Sequence, residues 1–269
     1  MRAMLLAAGY GTRLRPLTDT VPKCLVPIRG RPLLEIWLES LVLAGLGPFL
    51  INTHHLAHQV NHFISKSPYI EQIYTVYEQK LLGTAGTIKA NLDFFGKQDG
   101  IVIHADNYCL ADLQAFVRAH QNRPVKCLLT MMTFRTDSPS SCGIVELDDQ
   151  GVVQGFYEKL HNPPGNLANA AIYVLSAQFL NLFYEKFYAA KNFSTDVLPH
   201  LMGKIYTFET TAPFVDIGTP ETYHLAEKFP GLKLSSVARS WLSKKCYRLY
   251  SGLSKGGCNE RFFREFRHR

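Results

Sequence analysis

Short apolar runs recur near residues 3–8, 48–52, 73–77, 100–104 and 126–134, each flanked by turn-forming or capping residues. Between them, near 32–45, 55–65, 84–93 and 110–120, apolar positions fall at helical spacing. Strand alternating with helix in this way predicts an α/β architecture, a mostly parallel mixed sheet flanked by helices. The pattern changes after Thr136. Residues 143–147 and 152–157 alternate around Asp148-Asp149-Gln150-Gly151, which predicts a hairpin. A strand over 169–175, a helix over 176–188 and a final strand ending near Asp216 complete the body. A helix over 219–227 opens with Thr219-Pro220-Glu221, where proline suits a first turn. In open α/β sheets ligands bind beyond the carboxyl ends of the strands, so the loops there carry the candidate chemistry.

Composition narrows the class. The 269 residues are 46% hydrophobic, enough for one sizeable core, or one core with a small appendage. Glycine and proline stand near average usage and no low-complexity tract occurs, which excludes a disordered or collagen-like chain. No apolar run approaches the ~20 residues of a membrane-spanning helix. The N-terminal Met1–Gly9 faintly resembles a signal peptide, but its apolar stretch is short and leads into a Gly/Arg loop, so a cytoplasmic protein is expected. The six cysteines (24, 109, 127, 142, 246 and 258) form no C-x-x-C pair, which points to reduced thiols and away from zinc or a disulfide framework. The net charge of +7 is unevenly spread: the last 41 residues carry +8 and residues 1–228 carry −1. The expected division is therefore a neutral domain over 1–228 and a basic, amphipathic extension over 229–269.

The first loop is the most informative. The strand over 3–8 runs into Gly9-Tyr10-Gly11-Thr12-Arg13-Leu14-Arg15-Pro16. Two glycines let backbone N–H groups approach an anionic oxygen, and Thr12 and Arg13 add a donor and a charge. A dinucleotide fingerprint needs glycine where Leu14 stands, and a P-loop needs Gly-Lys-Ser/Thr, so neither fits. Pro22-Lys23-Cys24-Leu25-Val26-Pro27 then fixes a lysine between two prolines, either as a second phosphate clamp or as an ordinary loop lysine.

The run from Leu6 to Ile28 resembles the signature of the sugar-1-phosphate nucleotidylyltransferases, the nucleotide-sugar pyrophosphorylases. Five further blocks follow in the family's order over residues 1–228: Leu82–Gly86, His104–Asn107, Phe156–Lys159, Asn169–Tyr173 and Val215–Pro220. The resemblance implies a glycosyltransferase-A-like, Rossmann-like nucleotide-binding fold. It also implies an enzyme joining a nucleoside triphosphate to a sugar 1-phosphate with Mg²⁺. Arg13 and Lys23 are then the catalytic cations, and Asp106 and Asp216 the metal ligands. Leu6, Ala7, Gly9, Gly11, Thr12, Glu78, Gly83, Thr84, Gly86 and Asp106 contact the nucleotide, while Gly143, Glu158, Lys159 and Asn169 contact the sugar phosphate. Either aspartate has an alternative role as a helix cap. The G-T-A-G form of residues 83–86 looks more like guanylyl-transferring members, and Glu78 offers an acceptor for a guanine edge. The leading reading is a mannose-1-phosphate guanylyltransferase-like enzyme of glycan biosynthesis. Thymidylyl or uridylyl transfer to another hexose or heptose phosphate, and a catalytically silent nucleotide-sugar-binding subunit, stand as alternatives. Ala171 departs from the family pattern, which has glycine there.

His54, His55, His58 and His62 fall at helical spacing, but a hydrogen-bonded or solvent-facing cluster is expected in preference to a metal site. The extension places Trp241, Leu242, Leu249 and Tyr250 among basic residues, a pattern for a membrane surface, an acidic partner or a neighbouring subunit of an oligomer, or for a solvated end. A neutral body without a basic face argues against nucleic acid as a partner.

Overall fold

The computed structural model describes residues 1–229. The basic extension beyond Phe229, with Cys246 and Cys258, lies outside them. The elements run β1 (Arg2–Leu6), α1 (Leu17–Thr20), β2 (Pro27–Ile28), β3 (Arg31–Pro32), α2 (Leu33–Leu43), β4 (Phe49–Thr53), α3 (Ala57–Ser65) and β5 (Ile73–Tyr77). Then come α4 (Thr84–Ala90), β6 (Gly100–His104), β7 (Asn107–Cys109), α5 (Leu113–Gln121), β8 (Leu129–Arg135), β9 (Gly143–Leu147) and β10 (Val153–Glu158). The chain continues through β11 (Leu167–Leu175), α6 (Ala177–Lys186), α7 (Phe193–Asp196), β12 (Ile205–Glu209), β13 (Phe214–Asp216) and α8 (Pro220–Lys228).

Nine strands form one mixed sheet, ordered β10-β9-β11-β6-β1-β4-β5, with β8 pairing both β11 and β12. The stretch β6-β1-β4-β5 is wholly parallel, and β11 joins it antiparallel through Ile172–Leu175 opposite Gly100–Ile103. Ala3, Met4 and Leu5 of β1, Phe49 and Ile51 of β4 and Ile101–Ile103 of β6 are fully buried. That explains their unbroken apolar runs: a central parallel strand is covered on both faces and has no polar side to show. Full burial of each large side chain contributes about 1.5–3 kcal/mol, which fixes the parallel strands and so the positions of the loops leaving them.

The predicted elements appear with shifted ends, and for α5, α6 and α8 a side-chain cap sets the start. Helix α5 starts at Leu113 because Asp112 accepts from the Ala115 amide at 2.9 Å, and Ser176 sets the start of α6 in the same way. Thr219 and Thr222 close a capping box at the start of α8. The single strand expected to end near Asp216 is in fact two. β12 runs parallel to β8 in the main sheet, whereas β13 leaves that sheet and pairs antiparallel with β7. The short β2, β3 and β7, together with α1 and α7, are too brief to show a period and were not foreseen. Cys24, Cys109, Cys127 and Cys142 are free thiols. Among the described residues no helix is long and apolar enough to cross a membrane.

Candidate active site

The loops at the carboxyl ends of β1, β4 and β6 meet in one place. Gly11 takes a left-handed φ of 65°, and an added Cβ would lie 2.9 Å from the Thr18 methyl and 3.2 Å from Lys23 Cβ. Only glycine turns the chain there without crowding the lysine. Thr12 and Arg13 then form a single 3-10 turn. Leu6, Ala7, Gly9, Lys23, Cys24 and Asp106 line one small cavity of about 30 Å³, so the first loop, the clamped lysine and the β6 aspartate share a space.

The buried Lys23 ammonium lies 2.6 Å from Asp106 Oδ2 and 3.6 Å from Asp216 Oδ1, and Arg13 stands 3.6 Å from Asp216 Oδ2. Topology brings the two distant carboxylates together. The β7–β13 ladder registers Asp216 opposite Asn107, the neighbour of Asp106. Trp37 holds this turn by donating from Nε1 to the Asn107 carbonyl at 2.8 Å, while Asn107 donates to the Ala170 carbonyl at 2.9 Å. Neither aspartate caps a helix: β7 follows Asp106, and Thr219 caps α8. Burial works against the Asp106 charge, but Lys23 and His104 outweigh it and hold the carboxyl below its usual range. Burial, with the nearby Asp106 charge, pushes the Cys24 thiol up to about 12, so it stays neutral beside the site.

Two carboxylates facing one cationic point are a donor set suited to Mg²⁺, which takes one or two protein carboxylates and completes its shell with water and phosphate. Among the described residues no group of three or more His, Cys, Asp or Glu is gathered for a metal. His54 and His55 are each hydrogen-bonded, whereas His58 and His62 lie exposed on α3.

The expected base loop, residues 83–86, is held through its own backbone and the Thr84 hydroxyl. Gly83 adopts φ 77° and ψ 165°, and its Cβ position would lie 2.4 Å from the Lys191 carbonyl oxygen. The Ala85 and Gly86 amides donate to that oxygen at 2.9 and 3.4 Å, and the Thr84 hydroxyl accepts from the Phe193 amide at 2.7 Å. Gly86 and Thr84 thus anchor the loop to residues 191–193. The Glu78 carboxylate is buried and accepts from Asn52 Nδ2, the Thr87 hydroxyl and the Leu82 amide, at 2.9, 2.5 and 3.0 Å. These three donors take up part, not all, of the acceptor capacity of the carboxylate.

On the other side of Asp106, Gly143 and Glu158 face each other in the β9–β10 ladder, and Glu158 pairs with Lys159 at 3.6 Å. Lys159 and Ala171 both have left-handed backbones, with φ of 51° and 53°. Asn169 accepts from the Ala171 amide at 2.9 Å and donates to the Tyr173 hydroxyl at 2.7 Å, which fixes its amide plane. Ala171 therefore keeps, at some strain, the conformation for which glycine is suited.

Sequence reasoning passed over Asn52, Tyr10 and Asn107. A polar residue closing the apolar run Phe49–Ile51 was the available signal for Asn52; the roles of Tyr10 and Asn107 depend on partners distant in sequence.

Known proteins include relatives of this chain. The chain is similar to the mannose-1-phosphate guanylyltransferase catalytic subunit beta of Drosophila melanogaster, at 29% identity over 82% of this chain and 60% of that protein. It is also similar to the mannose-1-phosphate guanyltransferase of Saccharomyces cerevisiae, at 28% identity over 83% of this chain and 63% of that one. The chain thus spans about three-fifths of the length of these curated relatives. The crystal structure of HddC from Yersinia pseudotuberculosis complexed with GMP-PN superposes with a TM-score of 0.71, at 27% identity, covering 84% of this chain and 98% of that one. A model of the nucleotidyl transferase family matches residues 2–230. Since that match takes in every strand of the sheet and every loop that meets at Lys23, this chain belongs to the nucleotidyl transferase family.

Proposed function

We propose that the protein transfers a nucleotidyl group from a nucleoside triphosphate to a sugar 1-phosphate, giving a nucleotide sugar and pyrophosphate. GTP and mannose 1-phosphate, or a related sugar phosphate, are the favoured pair. The observation that carries the reading is the Lys23 ammonium held between Asp106 and Asp216 beside a two-glycine loop. The names of the curated relatives and the GMP-PN bound to HddC support guanine and mannose.

In this reaction a phosphate oxygen of the sugar 1-phosphate forms a bond to the α-phosphorus. The bond from that phosphorus to the bridging oxygen breaks, and pyrophosphate leaves with the electron pair. The nucleophile is already an anion, so alignment and charge neutralisation are what the protein must supply. Lys23 stabilises the α-phosphate as it becomes five-coordinate. Arg13 faces the β- and γ-phosphates, with Gly9, Gly11 and Thr12 as donors and Leu6 and Ala7 flanking the nucleotide. Asp106 and Asp216 would hold Mg²⁺, whose chemistry is to neutralise charge on the triphosphate. Glu78 reads the guanine edge through the acceptor capacity its three donors leave, with Gly83, Thr84 and Gly86 shaping the slot. Gly143, Glu158 and Asn169 meet the sugar hydroxyls, and Lys159 meets the sugar phosphate. The protein acts as a cytoplasmic enzyme, and its basic extension over 229–269 contacts an anionic membrane surface, an acidic partner or a neighbouring subunit.

The test is pyrophosphate release with Mg²⁺, crossing the common nucleoside triphosphates and dTTP against a panel of sugar 1-phosphates. Release with GTP that depends on one sugar phosphate is the expected result. Release only with UTP or dTTP would move the reading to another nucleotide. Silence with nucleotide binding intact would replace it with a regulatory subunit.

A further inference from the structure

Between the first loop and the expected base loop lies a polar frame with two arms, one centred on the buried Asn52 and Glu78 and one reaching the exposed Tyr10. In the first arm, Asn52 at the end of β4 accepts from the Ala7 amide at 2.7 Å and donates to Glu78 Oε1 at 2.9 Å. In the second, His54 Nδ1 lies 2.7 Å from the Glu78 carbonyl oxygen, and Nε2 lies 2.9 Å from the Tyr10 hydroxyl. A carbonyl only accepts, so the Nδ1 contact puts the proton there and leaves Nε2 to accept from Tyr10. The Tyr10 ring also meets the His54 ring edge-on, with centroids 5.2 Å apart. Both arms end on Glu78, one on its side chain and one on its backbone, and both reach the first loop, at Ala7 and at Tyr10. His55 adds a prop nearby: Nε2 lies 2.9 Å from the Thr18 carbonyl, and Thr18 in turn donates to the Gly11 carbonyl at 2.8 Å.

We propose that Asn52, His54 and Tyr10 are positioning residues that fix the distance between the base slot at Glu78 and the triphosphate slot at the first loop. This rests on the nucleotide-site reading given above. A nucleoside triphosphate engages both slots at once, and a frame already at the right span gives the second contact without further ordering of the protein. A ligand that fills one slot alone gains nothing from the span. The frame therefore favours a molecule with a base at one end and a triphosphate at the other over a bare polyphosphate.

Tyr10→Phe provides the test, because it removes one oxygen from a side chain that is 46% exposed and leaves the fold intact. Affinities for GTP and for inorganic tripolyphosphate, both with Mg²⁺, are compared by calorimetry on the full chain. Losing one hydrogen bond of the frame is expected to weaken GTP about three- to ten-fold while tripolyphosphate changes less than about two-fold. His54→Ala should repeat this result, and the double variant should be no worse than His54→Ala alone, because both cut the same arm. If GTP and tripolyphosphate weaken together, Tyr10 is only a wall of the phosphate loop and the proposal is overturned. Unchanged GTP affinity overturns it as well. A wild-type protein that binds tripolyphosphate but not GTP would instead refute the nucleotide reading itself.

Discussion

Asp106→Asn separates charge from shape at the centre of the site. Asparagine keeps the side chain's size and one oxygen that accepts from Lys23, so the 2.6 Å contact survives in weaker form. A hydrogen bond to a charged group is worth about 1.5–3 kcal/mol and a neutral one about 0.5–1.5. The Asp106 side chain is 36% exposed, so solvent screening lowers the difference. The net stability cost is then about 1 kcal/mol, a shift of about 2–4 °C in melting temperature for a domain of this size. Catalysis should suffer more, because the lost charge is one of the two carboxylates that, among the described residues, pair with Lys23. Removing one preorganised electrostatic group costs about 3 kcal/mol of transition-state stabilisation, or roughly 100-fold in turnover. Pyrophosphate release at saturating substrates, followed across a Mg²⁺ titration, should show that loss together with a higher half-saturating Mg²⁺ concentration. Turnover within about three-fold of wild type, at unchanged Mg²⁺ demand, would refute the metal and charge assignments at Asp106.

Three further outcomes follow from the same geometry. Gly83→Ala puts a methyl 2.4 Å from the Lys191 carbonyl in a backbone region open almost only to glycine, and urea unfolding should show a loss of about 2–3 kcal/mol. Gly143→Ala would bring its Cβ to 2.7 Å from both Glu158 Oε2 and the Phe156 ring, so KM for the sugar phosphate should rise several-fold while KM for the nucleotide stays put. Equal movement of both constants would argue against a sugar-side role. Asp196 accepts from the Asn192 amide, the Thr195 hydroxyl and the Lys191 amide, which hold its carboxyl down to about 2. A depressed carboxyl contributes stability that is full above its unfolded pKa of about 4 and disappears as the pH falls through about 2. The gap in urea midpoint between wild type and Asp196→Asn should therefore be open at pH 6 and closed near pH 2; a gap independent of pH would contradict this.

The sequence by itself determined the parallel part of the sheet, because β1, β4 and β6 are buried on both faces and their apolar runs leave no other reading. It determined the turn at Gly11, where a left-handed φ favours glycine, and the start of α8, where Thr219 and Thr222 cap the helix within its own first turn. It also drew attention to Arg13, Lys23, Asp106 and Asp216 through ordered short motifs. Only the tertiary structure decided that these groups touch. The Asp106–Asp216 approach depends on a three-residue ladder between β7 and β13, too short to leave a period in the sequence. The same holds for the contact of Glu78 with Asn52, 26 residues away in β4, and for the loop anchored on the Lys191 carbonyl. A hydrogen bond between distant residues leaves no mark on local spacing. Burial patterns can therefore be read from one chain, whereas the polar contacts that arrange a site emerge only when the chain is folded.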